Sequence, residues 1–388
     1  MKYKLTALIM SAMLVFCTAC TQSDADSAVA ANAYGNDQSK VSEIITETEI
    51  SLTSPEKSCT DTDFEYKLTQ KEQAAADDMR AYMQDLDFSG TVLLGVGDNI
   101  IYCDSYGYSD KKTKTKNEND TVYQIASLTK QFTGAAILLL QEQGKLKVTD
   151  KLSKYISGYK YGSKLTIENL LFMTSGLQDF ADAYILDELD ETKEYKSGEI
   201  FDLVKDYDLW NTPGKVYEYC NTNYYLLGMI IEKASGQTYE EYVTENIFEP
   251  LGMASTSLDN STVTAKGYSW GKEYERVYNK TVFNSAGAIC SNAYDMFKWL
   301  NGFYKNEIIT RDSVKYILSD KSKLGYSCGW VVSQKGIMRH SGNLGGYKTF
   351  SLIDYENDIK VIVLSNNEQQ LSADIGLQLD NIAKTHLK

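Results

Sequence analysis

The sequence predicts an α+β fold, with one antiparallel sheet flanked by N- and C-terminal helices and a mostly helical lobe inserted between its strands. Three observations predict it. Two strand-like runs joined by a hairpin signal lie near the start of the chain, four more lie near its end, and the stretch from about 145 to 300 reads as helices and long loops.

Taken in order, residues 67–86 have helix-forming composition, with Gln70, Glu72, Ala74, Ala75, Ala76, Met79 and Ala81. Residues 91–96 and 100–106 read as strands joined at Gly97-Asp98-Asn99. Residues 128–143 form a helix that is apolar almost all round (Phe132, Ala135, Ala136, Ile137, Leu138, Leu139, Leu140), which predicts a central, buried position. Gly144 is its expected stop. Strand-like runs return at 328–333, 336–340, 347–353 and 359–364, the last two flanking a turn-rich Asp354-Tyr355-Glu356-Asn357-Asp358. An amphipathic helix at 371–383 closes the chain, and a cleft between sheet and lobe is where a site is expected.

The N-terminal 65 residues have a different character. Lys2 and Lys4 precede an apolar stretch at 5–16 that is too short to span a bilayer, and Cys17-Thr18-Ala19-Cys20 follows. A small residue before a cysteine resembles a bacterial lipoprotein cleavage site, so 1–19 is expected to be a signal peptide and Cys20 a lipidated first residue. Stable anchoring needs two or more acyl chains. Residues 20–65 read as a disordered tether, because ten acids stand against Lys40 and Lys57 with only Tyr34 and Phe64 aromatic. The folded domain is then 66–388. These features predict an extracytoplasmic, membrane-anchored protein.

The formal net charge is −14 at pH 7, and loss of 1–19 removes two lysines and no acids. Such a polyanion is a poor nucleic-acid partner, and Lys111, Lys112, Lys114 and Lys116 read as a solvated turn without interleaved aromatics. Cys59, Cys103, Cys220, Cys290 and Cys328 contain no Cys-x-x-Cys pair, and their pairing is not fixed by the sequence. Two histidines, His340 and His386, are too few for a His-rich metal site, so neither metal nor cofactor is expected.

Three short motifs carry chemistry. Ser127-Leu128-Thr129-Lys130 opens the buried helix, and residues three apart share a face. A desolvated lysine amine there can accept the serine proton. Ser54, Ser109 and Ser157 also have Lys at i+3, so Ser127 is distinguished by the apolar helix behind it. Tyr219-Cys220-Asn221 supplies a phenol that can relay a proton and an amide that can hold a carbonyl oxygen. His340-Ser341-Gly342 ends a strand ahead of Gly345-Gly346.

The order Ser-x-x-Lys, Tyr-x-Asn, His-x-Gly resembles the serine β-lactamase and penicillin-binding-protein superfamily, nearest the class C β-lactamase/DD-peptidase/esterase branch. Stretches 148–152, 170–177, 250–253 and 285–291 add to the likeness, which runs from about 90 to 365. The resemblance implies a β-lactamase/transpeptidase-like fold and an acyl-enzyme serine hydrolase. Ser127 would be the nucleophile, with Lys130 and Tyr219 sharing proton transfer. Asn221, His340, Gly342 and Asn343 would bind substrate, and the backbone N–H groups of Ser127 and Asn343 would form the oxyanion hole. The implied substrate is a small molecule or peptide, including peptidoglycan: an amide, an ester, a β-lactam or a D-Ala-D-Ala peptide. The chain is expected to be a monomer. A carboxylesterase of the same fold, or a membrane-tethered penicillin- or peptide-binding sensor without turnover, is the competing reading.

Three departures matter. Cys220 stands where Ser or Ala is usual, Met173 where His is frequent, and His340 where many β-lactamases have Lys. The last replaces a fixed charge by a titratable ring. It predicts weaker holding of carboxylate-bearing substrates, and tighter holding as the ring protonates between about pH 8 and 6.

Overall fold

The computed structural model describes residues 67–319, 325–333 and 335–387. The expected signal segment, Cys20 and the tether lie outside the described residues. The main elements are α1 (Gln70–Gln84), β1 (Gly90–Val96), β2 (Asn99–Tyr106), α2 (Thr129–Glu142), α3 (Ile167–Leu171), α4 (Asn221–Ser235), α5 (Ala293–Tyr304), β3 (Tyr326–Ser327), β4 (Trp330–Val332), β5 (Ile337–Leu344), β6 (Tyr347–Asp354), β7 (Ile359–Ser365) and α6 (Ser372–Leu387).

The seven strands form one antiparallel sheet in the order β2-β1-β7-β6-β5-β4-β3. Its centre joins the two ends of the chain: β1 pairs with β7 from Gly90 against Ser365 to Val96 against Ile359. The strands β1 and β7 are buried on both faces, which is why they read as near-continuous apolar runs.

One face is covered by the terminal helices. The sequence Thr69-x-x-Glu72 is a capping box: Glu72 Oε2 accepts from Thr69 N at 2.7 Å and Thr69 Oγ1 accepts from Glu72 N at 3.3 Å. The helix α1 then buries Ala75, Ala76, Met79 and Met83, and α6 buries Ile375, Leu379 and Ala383, against Val92, Leu94, Val361 and Val363 of the sheet.

The other face meets the helical lobe around α2, most of which is buried. Phe132 stacks on Trp299 at 4.3 Å and meets the edge of Phe248 at 5.7 Å. Each such side chain contributes roughly 1.5–3 kcal/mol on burial. Some elements differ from expectation: the strand expected at 328–333 is broken by a turn at Cys328-Gly329, with β3 ahead of it, and the strand expected at 336–340 runs on to Leu344. The helical run expected to belong to the lobe ends with α5, which packs on β1 and β7 through Phe297 and its neighbours. Just ahead of Ser127, Tyr123–Gln124 pairs with Cys290–Ser291 in a separate two-stranded ribbon.

Candidate active site

Ser127 lies on a 3-10 turn (Ala126–Leu128) that feeds into α2, one step before the α-helix begins. Ala126 has φ +52°, a backbone conformation that L-residues seldom adopt. The surroundings hold it there. Ile125 N donates to Ile289 O at 3.0 Å, and Thr349 Oγ1 donates to Ile125 O at 2.8 Å. The strand β5 presses on the same segment at Gly342. A Cβ at Gly342 would fall 2.6 Å from Ile125 O and 3.0 Å from the Ala126 Cβ. The buried Gly342 is therefore needed for backbone approach behind the nucleophile turn.

Lys130 is fully buried, and its Nζ donates to Ser127 Oγ (3.0 Å), Asn221 Oδ1 (2.8 Å) and Ala286 O (2.7 Å). Gly329 keeps the next loop tight against this turn, since a Cβ there would sit 2.3 Å from Lys130 O. Tyr219 OH donates to Ser127 Oγ at 2.8 Å. Two proton-carrying groups thus converge on one hydroxyl, and either can take the serine proton when it is itself deprotonated. Asn221 is held at both ends of its amide, by Lys130 and by Asp179 Oδ2, which accepts from Nδ2 at 3.0 Å. Burial pushes the Asp179 carboxyl above the usual carboxylate range, against hydrogen bonds from Ala181 and Asn221.

His340 corrects an expectation. The side chain is 5% exposed. Its Nδ1 lies 2.6 Å from Ser341 O, which can only accept, so Nδ1 carries the proton. Nε2 then accepts from Tyr326 OH at 3.1 Å. Burial first, and Lys130 second, push the ring down to about 3. It is neutral across the pH range in which it was expected to titrate, and both nitrogens are engaged by the protein. The predicted pH-dependent carboxylate contact is not what the structure holds. Asn343, by contrast, is exposed on β5.

Sequence reasoning missed Asp179, Tyr326 and the carbonyl of Ala286. Ala286 acts through its backbone, which no motif of side chains reveals. Among the described residues, Cys103, Cys220 and Cys290 are free thiols, and no group of three or more His, Cys, Asp or Glu is placed to hold a metal ion.

The sequence profile of the family described as Beta-lactamase matches residues 75–381. The chain is 30% identical over 313 residues to "Penicillin-binding protein 4*" of Bacillus subtilis (strain 168), covering 73% of this chain and 69% of that one. It is 29% identical over 296 residues to "Protein flp" of Staphylococcus aureus (strain NCTC 8325 / PS 47), covering 71% of this chain and only 59% of that one. Among solved structures, the D-amino acid amidase of Ochrobactrum anthropi SV3 superposes with TM-score 0.68 at 21% identity, covering 82% of this chain and 97% of the amidase.

Proposed function

The chain belongs to the Beta-lactamase family and is a serine hydrolase, and from that premise we propose that it cleaves an amide or ester through an acyl-enzyme on Ser127. One observation carries the reading: Ser127 Oγ receives both Tyr219 OH and Lys130 Nζ within 3.0 Å. In this mechanism Oγ attacks the substrate carbonyl while its proton passes to whichever of Lys130 and Tyr219 is deprotonated. The N–H groups of Ser127 and Asn343 hold the oxyanion. Collapse breaks the carbonyl–nitrogen or carbonyl–oxygen bond, and the departing group takes the proton back. Water then attacks the ester on Ser127 by the reverse relay. Asn221, with its amide fixed by Lys130 and Asp179, receives the substrate's amide.

Charge around the cleft supports a substrate without a terminal carboxylate. His340 is neutral, Asp179 accepts from Asn221, and the Asp182 carboxyl is raised by burial first and then by Asp179 and Glu218. Neutral esters and aminoacyl amides, the latter being what the structurally similar amidase is named for, suit this cleft better than acyl-D-Ala-D-Ala peptides. The test is a parallel assay of a nitrophenyl ester, a D-aminoacyl amide, an acyl-D-Ala-D-Ala peptide and a fluorescent penicillin. Turnover of either of the first two above the peptide is the expected result. Stable penicillin labelling with no turnover of any substrate would replace the enzyme by the sensor.

The proposal places the enzyme outside the cytoplasm as a monomer, anchored through lipid on Cys20 and lifted from the membrane by the acidic segment 20–65. The supporting feature is the apolar run ending at Thr18-Ala19-Cys20. The full-length protein should partition into the detergent phase, and Cys20→Ser should abolish that. A Cys20→Ser protein that still fractionates with membranes would remove the anchor.

A further inference from the structure

Met173 sits at an unusual point between the lobe and the site. Its φ is +55°, and its side chain is fully buried. Its N–H donates to Leu170 O at 3.2 Å, so it ends the α3 segment, and its own carbonyl accepts from Glu218 N at 2.9 Å. The thioether does more. Met173 Sδ accepts from Cys220 N at 3.4 Å and from Asn223 Nδ2 at 3.3 Å. Cys220 lies between Tyr219 and Asn221, and Asn223 is fully buried on the first turn of α4, with its Oδ1 accepting from Ser175 Oγ at 2.5 Å.

We propose that Met173 is a positioning residue, whose sulfur anchors the Tyr219–Asn221 turn and so sets the approach of Tyr219 OH and Asn221 Oδ1 to Ser127 and Lys130. Three hydrogen bonds tie one residue to this turn: one through its carbonyl and two through its sulfur. The two on sulfur are the ones that depend on side-chain identity. Cys220 N is in the extended N-cap residue of α4, where no helical carbonyl is in reach, so the thioether is the acceptor the turn relies on. A thioether is a weak acceptor, yet a buried N–H left without one costs more than the bond itself contributes. Cys220 supports the same arrangement: its Sγ donates to Leu177 O at 3.5 Å, and burial pushes its thiol well up, so the thiol is a marker of turn closure and not a nucleophile.

The inference rests on Tyr219 and Asn221 working on Ser127, and its test separates the two ideas. Met173→Leu keeps volume and the same positive-φ strain while deleting the acceptor. Met173→Gln restores an oxygen acceptor on an unbranched chain of similar reach. Three quantities are read: the acylation rate of Ser127 by a fluorophosphonate, kcat against KM for an ester, and native-state alkylation of Cys220 mapped by mass spectrometry. The expected result for Met173→Leu, which orphans both Cys220 N and Asn223 Nδ2, is acylation and kcat about tenfold slower, the rate equivalent of the donor lost inside the Tyr219–Asn221 turn itself. KM should be little changed, Cys220 should alkylate faster, and Met173→Gln should recover both. Wild-type acylation rate with Cys220 still protected in Met173→Leu would overturn the proposal, as would a fall in melting temperature with no change in kcat. If Met173→Leu fails to fold, amide exchange at Cys220 in the wild-type protein decides: slow exchange supports the sulfur acceptor, and exchange at the rate of an open loop contradicts it. A wild-type enzyme that never acylates fails the proposed function, while Cys220 protection still reports on Met173.

Discussion

Lys130 and Lys384 stand on opposite sides of the same sheet, and the contrast between them separates chemistry from support. Lys384 bonds two carboxylates, Asp354 at 2.5 Å and Asp380 at 2.6 Å. Burial works to lower its pKa, and these two acids outweigh burial and raise it. Lys130 is more deeply buried, and its three acceptors are a hydroxyl, an amide oxygen and a peptide carbonyl. Beside that ion pair, the terminal-helix face packs apolar side chains, from Met79 and Met83 of α1 to Leu379 and Ala383 of α6. Around Lys130 it is polar and reciprocally hydrogen-bonded. The terminal-helix face spends its contacts on holding the sheet, and the lobe face on holding a serine, a phenol and an amide in register.

If that division is right, substitutions on the two faces should move different quantities. The largest expected effect is Lys130→Met, which removes the ammonium from Ser127 and Asn221 and should lower the acylation rate by about 1,000-fold or more, in line with loss of a member of a catalytic unit. Burst kinetics with an activated ester would measure it. Leu379→Ala on the opposite face should cost about 3 kcal/mol in urea unfolding, from lost transfer energy plus the cavity, while kcat/KM below the transition stays at the wild-type value. A loss of activity without loss of stability there would break the comparison.

The most discriminating effect is a dependence on pH. In the unfolded chain His340 protonates near 6.5, whereas in the native structure it protonates only near 3. Between those values the unfolded state binds the extra proton. The stability this residue contributes is therefore complete above about pH 6.5 and is lost as pH falls toward 3. Replacing His340 by Gln should flatten the dependence of unfolding free energy on pH between about 6.5 and 4. KM for a carboxylate substrate should show no trend from His340 between pH 8 and 6. His340→Lys should destabilise the protein, because a charge would enter a closed space beside Lys130.

Much of this was legible in the sequence. The sheet strands are found close to where the period and turn residues place them, because β1 and β7 are short apolar runs bounded by Gly97 and Asp358. Ser127, Lys130, Tyr219 and Asn221 stand out because the motif order is specific, and the structure brings their polar atoms within hydrogen-bond distance of one another. The alternation along β5 also indicates which face His340 takes. It does not indicate that Tyr326 and Ser341 O would occupy both ring nitrogens, since Tyr326 reaches the site from another strand. Asp179 escaped for the same reason: its relevance lies in a contact with Asn221, 42 positions away. Met173 was visible as a departure, and only its geometry shows what its sulfur touches.

The most direct test of the account is peptide mapping of the covalent adduct. The protein is incubated with a fluorophosphonate or penicillin probe, digested and analysed by tandem mass spectrometry, alongside Ser127→Ala. The account predicts one adduct, on Ser127, absent from a Ser127→Ala protein that melts at the wild-type temperature. An adduct on another residue, or undiminished labelling of Ser127→Ala, would contradict it.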